Sequence, residues 1–375
     1  MKDDRPLRVL VVDDTVVYRK AVSDILAELP DVEVVGTANN GKIAMSKIAN
    51  LKPDILTLDI EMPEMNGLDV LARIKEEELD VGAIVLSTLT HKGGELTMQA
   101  MELGAFDFIT KPETDSMEES RKEVMNAISP MLKAFARRRE IKSVLGRGPS
   151  VQKAGRKEKP TNALDDTVRR MSAIVGEKRI RAEIVGIGIS TGGPKALARM
   201  MPQIPADINV PILIVQHMPA IFTKSLANNL NSKCAFEVRE ALDGESILPN
   251  IVLIAPGGKQ MKVVAGADGI NRIIRITDDP PENSCKPSVD YLFRSIAQHY
   301  VRRAAGVIMT GMGSDGTRGL DLMKRNGAFI IAQDEETCVV YGMPKEPVES
   351  GIVDVIAPLD HIAEEIICTV RGSSY

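Results

Sequence analysis

Short apolar runs alternate with longer segments of helical periodicity from Arg8 to about Lys122. Segments such as YRKAVSDILAEL and GLDVLARIKEE repeat apolar side chains at the three- and four-residue spacing of an amphipathic helix. Regular alternation of strands with helices predicts a parallel sheet wrapped by helices. The strands predicted for this first block are RVLVV, VEVVGTA, ILTLD, AIVLS and FDFIT.

A second block with the same alternation begins near Glu183 and continues to the C-terminus. The two blocks share an architecture class but no obvious motif. We therefore predict two α/β domains, at residues 1–125 and 181–375. The strands predicted for the second domain are EIVGIGI, NVPILIVQ, NIVLIAPG, RIIRIT, AGVIMTG and AFIIAQD.

The segment between the two blocks has a different character. From Lys133 to Pro160 the chain carries ten Lys or Arg residues against two acidic ones, with glycines and prolines interspersed. We predict that residues 126–180 form a basic, partly helical linker whose later part is flexible and solvated. Contact of this basic run with an acidic partner remains the alternative.

Composition narrows the classes of protein that the chain can belong to. The formal net charge of −5 and the pI of 5.6 argue against a whole-chain nucleic-acid binder. The N-terminus MKDDRPLR lacks the apolar core of a signal peptide, and no run reaches the ~18 apolar residues of a membrane helix. We predict a cytoplasmic protein without membrane insertion, whose distant cysteines are reduced thiols: Cys234, Cys285, Cys338 and Cys368.

Acidic residues follow two predicted strands of the first block. Asp13 and Asp14 come directly after VLVV, and Asp59 ends ILTLD. Because the carboxyl ends of parallel strands share one edge of a sheet, these three carboxylates can converge. Such a cluster is repulsive unless a cation occupies it, and oxygen ligands suit Mg²⁺. The sequence therefore predicts a magnesium site at this edge.

Two further polar residues stand at strand ends of the same block. Ser87 ends AIVLS, and Lys111 follows FDFIT. A hydroxyl and an ammonium group can bind the oxygens of an acyl phosphate, which forms when an aspartate attacks a phosphoryl donor. Each residue alone is typical of a helix cap or a turn. Capping does not explain all five polar residues at successive strand ends.

The segments VVDDTVVYR, LTLDIEMPEMNGLDVL, VLSTLT and GAFDFITKP resemble those of response-regulator receiver domains, and the resemblance covers the whole first block. It implies a flavodoxin-like (βα)5 fold phosphorylated at Asp59. It also implies Mg²⁺ held by Asp14 and Asp59, with Asp13 acting through water and the Glu61 carbonyl completing the protein ligands. The family's hydroxyl, lysine and switch aromatic fall on Ser87, where threonine is common, on Lys111 and on Phe108.

The glycine-rich segment GIGISTGG, which begins at Gly186, matches three kinds of site incompletely. A dinucleotide loop needs G-x-G-x-x-G, but Gly192 comes one residue late and the next strand ends without an acidic residue. A P-loop needs lysine where Pro194 stands. The third match is G-x-S-x-G, the turn that exposes a nucleophilic serine between a strand and a helix. This spacing favours Ser190 as a nucleophile.

A serine nucleophile needs a base and an acid from neighbouring strand ends. His217 follows NVPILIVQ at the same predicted edge, whereas the other histidines lie in the first block or in helix-like segments: His91, His299 and His361. Asp315 lies in the glycine-rich loop after AGVIMTG, where a backbone amide can also bind an oxyanion. Asp290 is a weaker candidate because its segment resembles a helix start. The order Ser, His, Asp differs from that of α/β-hydrolases, and so argues against that fold.

The second block is similar to the catalytic domain of chemotaxis protein-glutamate methylesterases over essentially all of residues 183–370. The matching segments are GISTGGPKAL, VQHMPAIFTKSLA, APGG, KPSVDYLFRS, TGMGSDGTRGL and QDEETCVVYGMPKE. The resemblance implies catalysis by Ser190, His217 and Asp315, an oxyanion-binding amide at Met312, and a hydroxyl at Thr191 that helps position the histidine. It places these residues on a Rossmann-like, doubly wound α/β fold that needs no cofactor for ester hydrolysis.

The same resemblance implies a substrate and partners. The substrate would be methylated glutamates on the cytoplasmic helices of chemoreceptors, with receptor glutamines as a second, deamidation substrate. The phosphoryl donor would be a chemotaxis histidine kinase. Two rival classes are disfavoured: a transcription factor would need a DNA-binding output, which the second block lacks, and a non-catalytic scaffold would not need Ser, His and Asp at three strand ends.

Overall fold

The computed structural model describes residues 5–112, 116–145 and 181–372. Its first domain contains a parallel sheet of five strands in the order β2-β1-β3-β4-β5, the flavodoxin-like order, and this confirms the predicted fold. The strands are β1 (Leu7–Val12), β2 (Val32–Ala38), β3 (Ile55–Asp59), β4 (Gly82–Ser87) and β5 (Asp107–Thr110). The helices are α1 (Val16–Ala27), α2 (Gly41–Leu51), α3 (Gly67–Glu76), α4 (His91–Leu103) and α5 (Met117–Leu145).

The start of α3 shows how local sequence positions a helix beside the acidic edge. The Asn66 side chain accepts a hydrogen bond from the Asp69 N–H at 2.9 Å, and the Asp69 carboxylate accepts one from the Asn66 N–H at 3.2 Å. This capping box supplies partners for N–H groups that a helix end leaves unbonded. A Cβ atom on Gly67 would lie 2.3 Å from the Asp59 carbonyl oxygen. Only glycine therefore allows α3 to begin this close to Asp59.

Helix α5 continues past residue 125 and carries the first part of the predicted basic linker. It contains Pro130 and ends at Leu145. Its Arg137 approaches Glu335 of the second domain, with 3.7 Å between the guanidinium and the carboxylate. The rest of the predicted linker, residues 146–180, lies outside the described residues.

The second domain contains a seven-stranded sheet, parallel throughout, in the order β14-β13-β12-β6-β7-β9-β8. Helices cover it in a doubly wound arrangement, as predicted. Its strands are β6 (Ile184–Ile189), β7 (Ile212–Gln216), β8 (Glu237–Glu240), β9 (Ile251–Ile254), β12 (Ala304–Ile308), β13 (Phe329–Gln333) and β14 (Val355–Ala357). Its helices are α6 (Gly193–Met200), α7 (Phe222–Asn231), α8 (Val289–His299), α9 (Thr317–Arg325), α10 (Lys345–Glu349) and α11 (Leu359–Arg371).

Three strands of the second domain differ from the prediction. Strands β8 and β14 were not predicted, because β8 reads EVRE with little apolar character and β14 has three residues. Strand β10 (Gln260–Ala265) was also missed. It pairs antiparallel with β11 (Arg272–Thr277), the predicted strand RIIRIT, in a two-stranded hairpin separate from the main sheet.

The two domains pack against each other through α4 and α7. A Cβ atom on Gly94 would lie 2.6 Å from the Ser225 hydroxyl, so the helices approach closely there. The Glu102 carboxylate accepts a hydrogen bond from the Asn229 side chain at 2.6 Å and pairs with Lys233. The contact thus combines close backbone packing with charged hydrogen bonds.

Among the described helices, none combines the length and apolar character needed to cross a membrane.

Candidate active site

The first domain gathers three carboxylates at the ends of β1 and β3. One oxygen from each of Asp13, Asp14 and Asp59 lies within 4.8 Å of the others. Asp13 and Asp59 are buried, whereas Asp14 is exposed, so the cluster is open to water on one side. An all-oxygen donor set with room for water fits Mg²⁺. The three carboxylates predicted for the magnesium site are therefore brought together.

Lys111 lies against the same carboxylates. Its ammonium nitrogen is 2.7 Å from Asp59 Oδ2 and 2.9 Å from Asp13 Oδ2. Burial and the charges of Asp13 and Asp14 raise the pKa of the Asp59 carboxyl, and Lys111 opposes that rise. Burial lowers the pKa of Lys111, but Asp59 and Asp13 outweigh burial and raise it overall. A charged lysine thus neutralises part of the acidic cluster.

The remaining predicted residues of this site surround Asp59 on the side of α4. Ser87 and Glu61 line the same small cavity as Asp59. The Ser87 hydroxyl accepts a hydrogen bond from Thr97 at 2.7 Å, and the Glu61 side chain pairs with Lys92 at 2.6 Å. Sequence reasoning missed the Thr97 contact, which couples Ser87 to α4.

Phe108, the predicted switch aromatic, lies on β5 and is buried between the domains. Its ring centroid is 4.7 Å from that of Phe222 on α7, with 32° between the ring planes. The neighbouring Asp107 carboxylate accepts a hydrogen bond from the Phe108 N–H at 2.9 Å, and it is close enough to the Thr191 hydroxyl and the Gly192 N–H of the second domain for them to lower its pKa. Burial raises the pKa of Asp107 to about 7, despite these contacts. Strand β5 therefore contacts the turn that follows β6.

That turn carries Ser190, and the central strands of the large sheet bring it beside His217. Strands β6 and β7 are neighbours, and the His217 N–H donates to the Ile189 carbonyl at 3.1 Å. The Ser190 N–H donates to the carbonyl of Thr310, which follows β12, at 3.0 Å. The loop after β12 also carries Asp315. The three residues predicted from strand ends therefore meet at one edge of the sheet.

The imidazole of His217 is bonded to Asp315. Nε2 of His217 lies 2.8 Å from Oδ2 of Asp315. Burial raises the pKa of the Asp315 carboxyl, but hydrogen bonds from His217 and other donors outweigh burial and lower it overall. An ionised carboxylate at this distance orients an imidazole and stabilises its protonated form.

The N-terminus of α8 holds Asp315 in position. Its carboxylate accepts hydrogen bonds from the Ser288 hydroxyl at 2.9 Å and from the N–H groups of Val289 at 2.7 Å and Asp290 at 3.2 Å. A helix N-terminus has unbonded N–H groups and a positive dipole end, both of which stabilise a carboxylate. The rival acid Asp290 faces elsewhere, because its carboxylate accepts the Gly319 N–H at 2.6 Å.

The second ring nitrogen of His217 faces a residue that the sequence did not single out. Nδ1 lies 3.7 Å from the Cys285 thiol. Among the described residues, none is hydrogen-bonded to the Ser190 hydroxyl. Burial lowers the pKa of His217, but Asp315 and Cys285 outweigh burial and raise it to about 9. The serine and the histidine thus share an edge without being hydrogen-bonded to each other.

Gln216 is a second residue that sequence reasoning missed. It is almost completely buried at the end of β7, and its amide nitrogen donates to the Ser190 carbonyl at 3.0 Å and to the His217 carbonyl at 3.2 Å. A Cβ atom on Gly193 would lie 1.9 Å from its Oε1, so glycine is required there. The only signal in the sequence was a polar residue ending an apolar strand beside His217. Gln216 joins the backbones that carry the candidate nucleophile and base.

The predicted oxyanion donor, Met312, lies in the loop after β12 and is half-buried. Within the described part of the chain, its N–H is not engaged in a hydrogen bond. The preceding Gly311 N–H, by contrast, donates to the Val340 carbonyl at 3.0 Å. A Cβ atom on Gly311 would lie 2.8 Å from Cβ of Ser190, so the loop runs against the serine. An unengaged amide next to this contact can donate to an oxyanion.

Comparisons with known proteins cover both domains. Residues 9–121 match the response regulator receiver domain family, and residues 185–366 match the CheB methylesterase family. The crystal structure of the Thermotoga maritima CheB methylesterase catalytic domain is similar to half of this chain and 97% of that one, with 41% sequence identity and a TM-score of 0.48.

Two curated relatives match along nearly their whole length, and both are named protein-glutamate methylesterase/protein-glutamine glutaminase. The relative from Desulfotalea psychrophila is 53% identical over 97% of this chain and 99% of its own. The relative from Bacillus subtilis is 42% identical over the same shares of the two chains. The chain therefore belongs to the family of protein-glutamate methylesterase/protein-glutamine glutaminase proteins with an N-terminal response-regulator receiver domain.

Proposed function

We propose that the chain hydrolyses γ-methyl esters of glutamate on chemoreceptor helices and deamidates specific receptor glutamines, under control of phosphorylation at Asp59. The observation that carries the esterase activity is the 2.8 Å His217–Asp315 pair at the sheet edge beside Ser190. The names of relatives that match almost the entire chain support glutamate methyl esters and glutamine amides of proteins as substrates, and the chemoreceptor helices are part of the proposal. Because such receptor helices lie in the cytoplasm, we propose that the reaction takes place there.

The proposed chemistry uses the ring nitrogen of His217 that is not bonded to Asp315. Since Nε2 is bonded to Asp315, Nδ1 takes the proton of the Ser190 hydroxyl as its oxygen attacks the ester carbonyl carbon. The Met312 N–H donates to the oxyanion that forms. The imidazolium then protonates the departing methoxide, and methanol leaves. Water repeats the sequence on the acyl-enzyme and releases glutamate; with a glutamine substrate the leaving group is ammonia.

The regulatory part of the proposal begins with phosphorylation at Asp59 in the receiver domain, which we place at residues 1–125. We place the linker at 126–180 and the catalytic domain at 181–375. When bound by Asp13, Asp14, Asp59 and the Glu61 carbonyl, Mg²⁺ would neutralise charge on the incoming phosphoryl group. Ser87 and Lys111 would then bind its oxygens.

A phosphoryl group on Asp59 would change the partners of Lys111, which directly follows β5. The same strand contacts the Ser190 turn through Asp107 and packs on α7 through Phe108. Phosphorylation can therefore shift the population between docked and open domain arrangements. In the docked arrangement, the receiver domain limits access of a bulky helical substrate to Ser190.

Methanol release tests the proposal directly. Receptor-containing membranes with methylated glutamates, incubated with the full chain, should release methanol faster when a small acyl-phosphate donor and Mg²⁺ are added. D59A should retain the basal rate and lose the increase, because it keeps the catalytic edge and lacks the phosphoryl acceptor. Equal stimulation of D59A would exclude regulation through Asp59. Absence of methanol release by the full chain under both conditions would exclude the esterase.

The activity should rise with pH through about 9. Only neutral His217 can accept the serine proton, and its pKa is raised to about 9, so the active fraction grows as the pH increases toward and past that value. Asp315 and Cys285 are the groups that cause the rise. The measurement is kcat/KM of the full chain from pH 6 to 10, roughly the range of His and thiol titration, after subtraction of uncatalysed hydrolysis. A profile that levels off below neutral pH would contradict this assignment.

Replacing Gln216 by leucine should lower kcat by about 10²-fold, since loss of the amide bridge lets the serine and histidine backbones move relative to each other. KM should change little, because Gln216 is buried away from substrate. T369V is the control: Thr369 is also fully buried, and its hydroxyl donates to the Glu365 carbonyl within α11. Equal losses in Q216L and T369V would indicate a general packing effect.

A further inference from the structure

Cys285 occupies a position that the proposed esterase reaction does not use. Its thiol is half-buried and lies 3.7 Å from Nδ1 of His217, on the opposite side of the ring from Asp315. Cysteine, histidine and aspartate therefore form a continuous series of contacts around the catalytic imidazole. A thiol next to an imidazole whose other nitrogen is bonded to a carboxylate matches the arrangement that activates cysteine nucleophiles.

The turn that carries Cys285 is anchored on both sides. Glu282 and Cys285 exchange backbone hydrogen bonds of 3.1 and 2.7 Å. Between them, Asn283 donates its side-chain amide to Asp315 at 2.8 Å and to Asp290 at 2.9 Å. Glu282 also forms a two-point ion pair with Arg294 of α8. The thiol is thus held by the same structure that holds Asp315.

Asn283 and Ser284 both have left-handed backbones, with φ of 50° and 61°. Non-glycine residues rarely adopt this conformation, and it persists only where surrounding contacts enforce it. The side-chain bonds of Asn283 to the two aspartates supply such contacts. The approach of Cys285 to His217 is therefore set by an anchored turn rather than by a freely rotating surface residue.

We propose that Cys285 is a redox modification site, at which hydrogen peroxide oxidises the thiol and reversibly suppresses the esterase. The proton of the Cys285 thiol moves to Nδ1 of His217, and the thiolate sulfur attacks one peroxide oxygen. An S–O bond forms and the O–O bond breaks, so the sulfur loses two electrons and the peroxide gains them. The leaving hydroxide takes the proton from His217 and departs as water, which leaves a sulfenic acid.

Oxidation at this place interferes with the proposed base. Nδ1 is the nitrogen that must accept the Ser190 proton, because Nε2 is bonded to Asp315. A sulfenic acid on Cys285 adds an oxygen and a polar O–H beside that nitrogen. The modified residue then competes with Ser190 for His217 and fills space next to the reacting ester. A thiol reductant removes the oxygen and should restore activity.

The experiment follows both chemistry and activity in the full chain. Wild type, C285S and C234S are treated with hydrogen peroxide at about pH 9, where a large fraction of His217 is neutral and can accept the thiol proton. Sulfenic acids are trapped with dimedone and located by peptide mass spectrometry. Cys234 is the matched control because it is also half-buried, but burial raises its pKa to about 11, despite Lys233. Cys285 should be labelled about tenfold faster than Cys234, since its thiol lies 3.7 Å from an imidazole nitrogen that can take its proton.

Methanol release is measured on the same samples, each relative to its own untreated rate. Wild type and C234S should lose about tenfold in activity and recover with dithiothreitol, as expected for a sulfenic acid. C285S should retain most of its own rate. Equal losses in C285S and wild type, or labelling of Cys285 no faster than Cys234, would overturn the proposal.

The proposal rests on the proposed role of His217 as base, and one variant separates the two. H217N removes the imidazole from the thiol, so labelling of Cys285 should fall to the level of Cys234 whether or not the chain hydrolyses receptor esters. If wild type releases no methanol but its Cys285 is labelled rapidly, the esterase proposal is wrong and the activation of Cys285 by His217 still holds. If Cys285 is labelled as fast in H217N as in wild type, only the activation of Cys285 by His217 is wrong.

Discussion

Alanine in place of Ser190 should lower kcat for methyl-ester hydrolysis by about 10⁴- to 10⁶-fold, because no acyl-enzyme can form without the hydroxyl. The fold should be preserved. Ser190 is half-buried, and its described hydrogen bonds run through the backbone: its N–H donates to Thr310, and its carbonyl accepts from Gln216. Residual activity should come from the oxyanion donors and substrate binding alone.

The measurement is methanol release by S190A from methylated receptor membranes, with the receiver domain activated by an acyl-phosphate donor. Because S190A has no nucleophile to expose, the acyl-phosphate donor should not increase its rate of methanol release. S314A, at an exposed serine of the glycine-rich loop, is the matched control and should stay close to the wild-type rate. A rate for S190A within about tenfold of wild type would show that another group is the nucleophile.

Both candidate sites lie where polar residues directly follow buried strands. In both domains, buried strands were visible as apolar runs, and polar residues directly after them had to lie at one sheet edge. This rule brought Asp13 and Asp59 together in one domain, and Ser190 and His217 in the other, without knowledge of any long-range contact. The neighbouring positions of β6 and β7 then placed the serine beside the histidine.

Other parts of the site depend on contacts that local patterns do not encode. Asp315 is held by Ser288 and Val289, although helix α8 and strand β12 separate these residues from it in the sequence. A turn with two residues in the left-handed backbone conformation places Cys285 beside the imidazole of His217. The approach of Thr191 to Asp107 joins two separate domains. None of these contacts repeats with the period of a helix or a strand, so the sequence did not predict them.

Asparagine in place of Asp315 should lower kcat by about 10⁴-fold. The amide removes the negative charge that stabilises protonated His217, and its nitrogen is a donor where the imidazole also donates. The remaining side-chain oxygen can still accept the N–H of Val289 or the hydroxyl of Ser288, so the start of α8 should stay close to its present position. The pH profile should change as well: without the carboxylate, burial is less opposed, and the pKa of His217 should fall from about 9.

The matched control is D290N, which replaces the neighbouring buried aspartate with the same amide. Asp290 accepts hydrogen bonds from Gly319 and Asn283 and does not contact His217, so its loss should affect stability more than catalysis. The measurements are kcat, its pH dependence and the Tm of both variants. A large loss of kcat in D315N with a Tm near that of D290N would assign the effect to the histidine. If D290N lost as much activity as D315N while both stayed folded, the role of Asp315 as the acid of this site would be wrong, because two carboxylates at the start of α8 would then act as one structural unit.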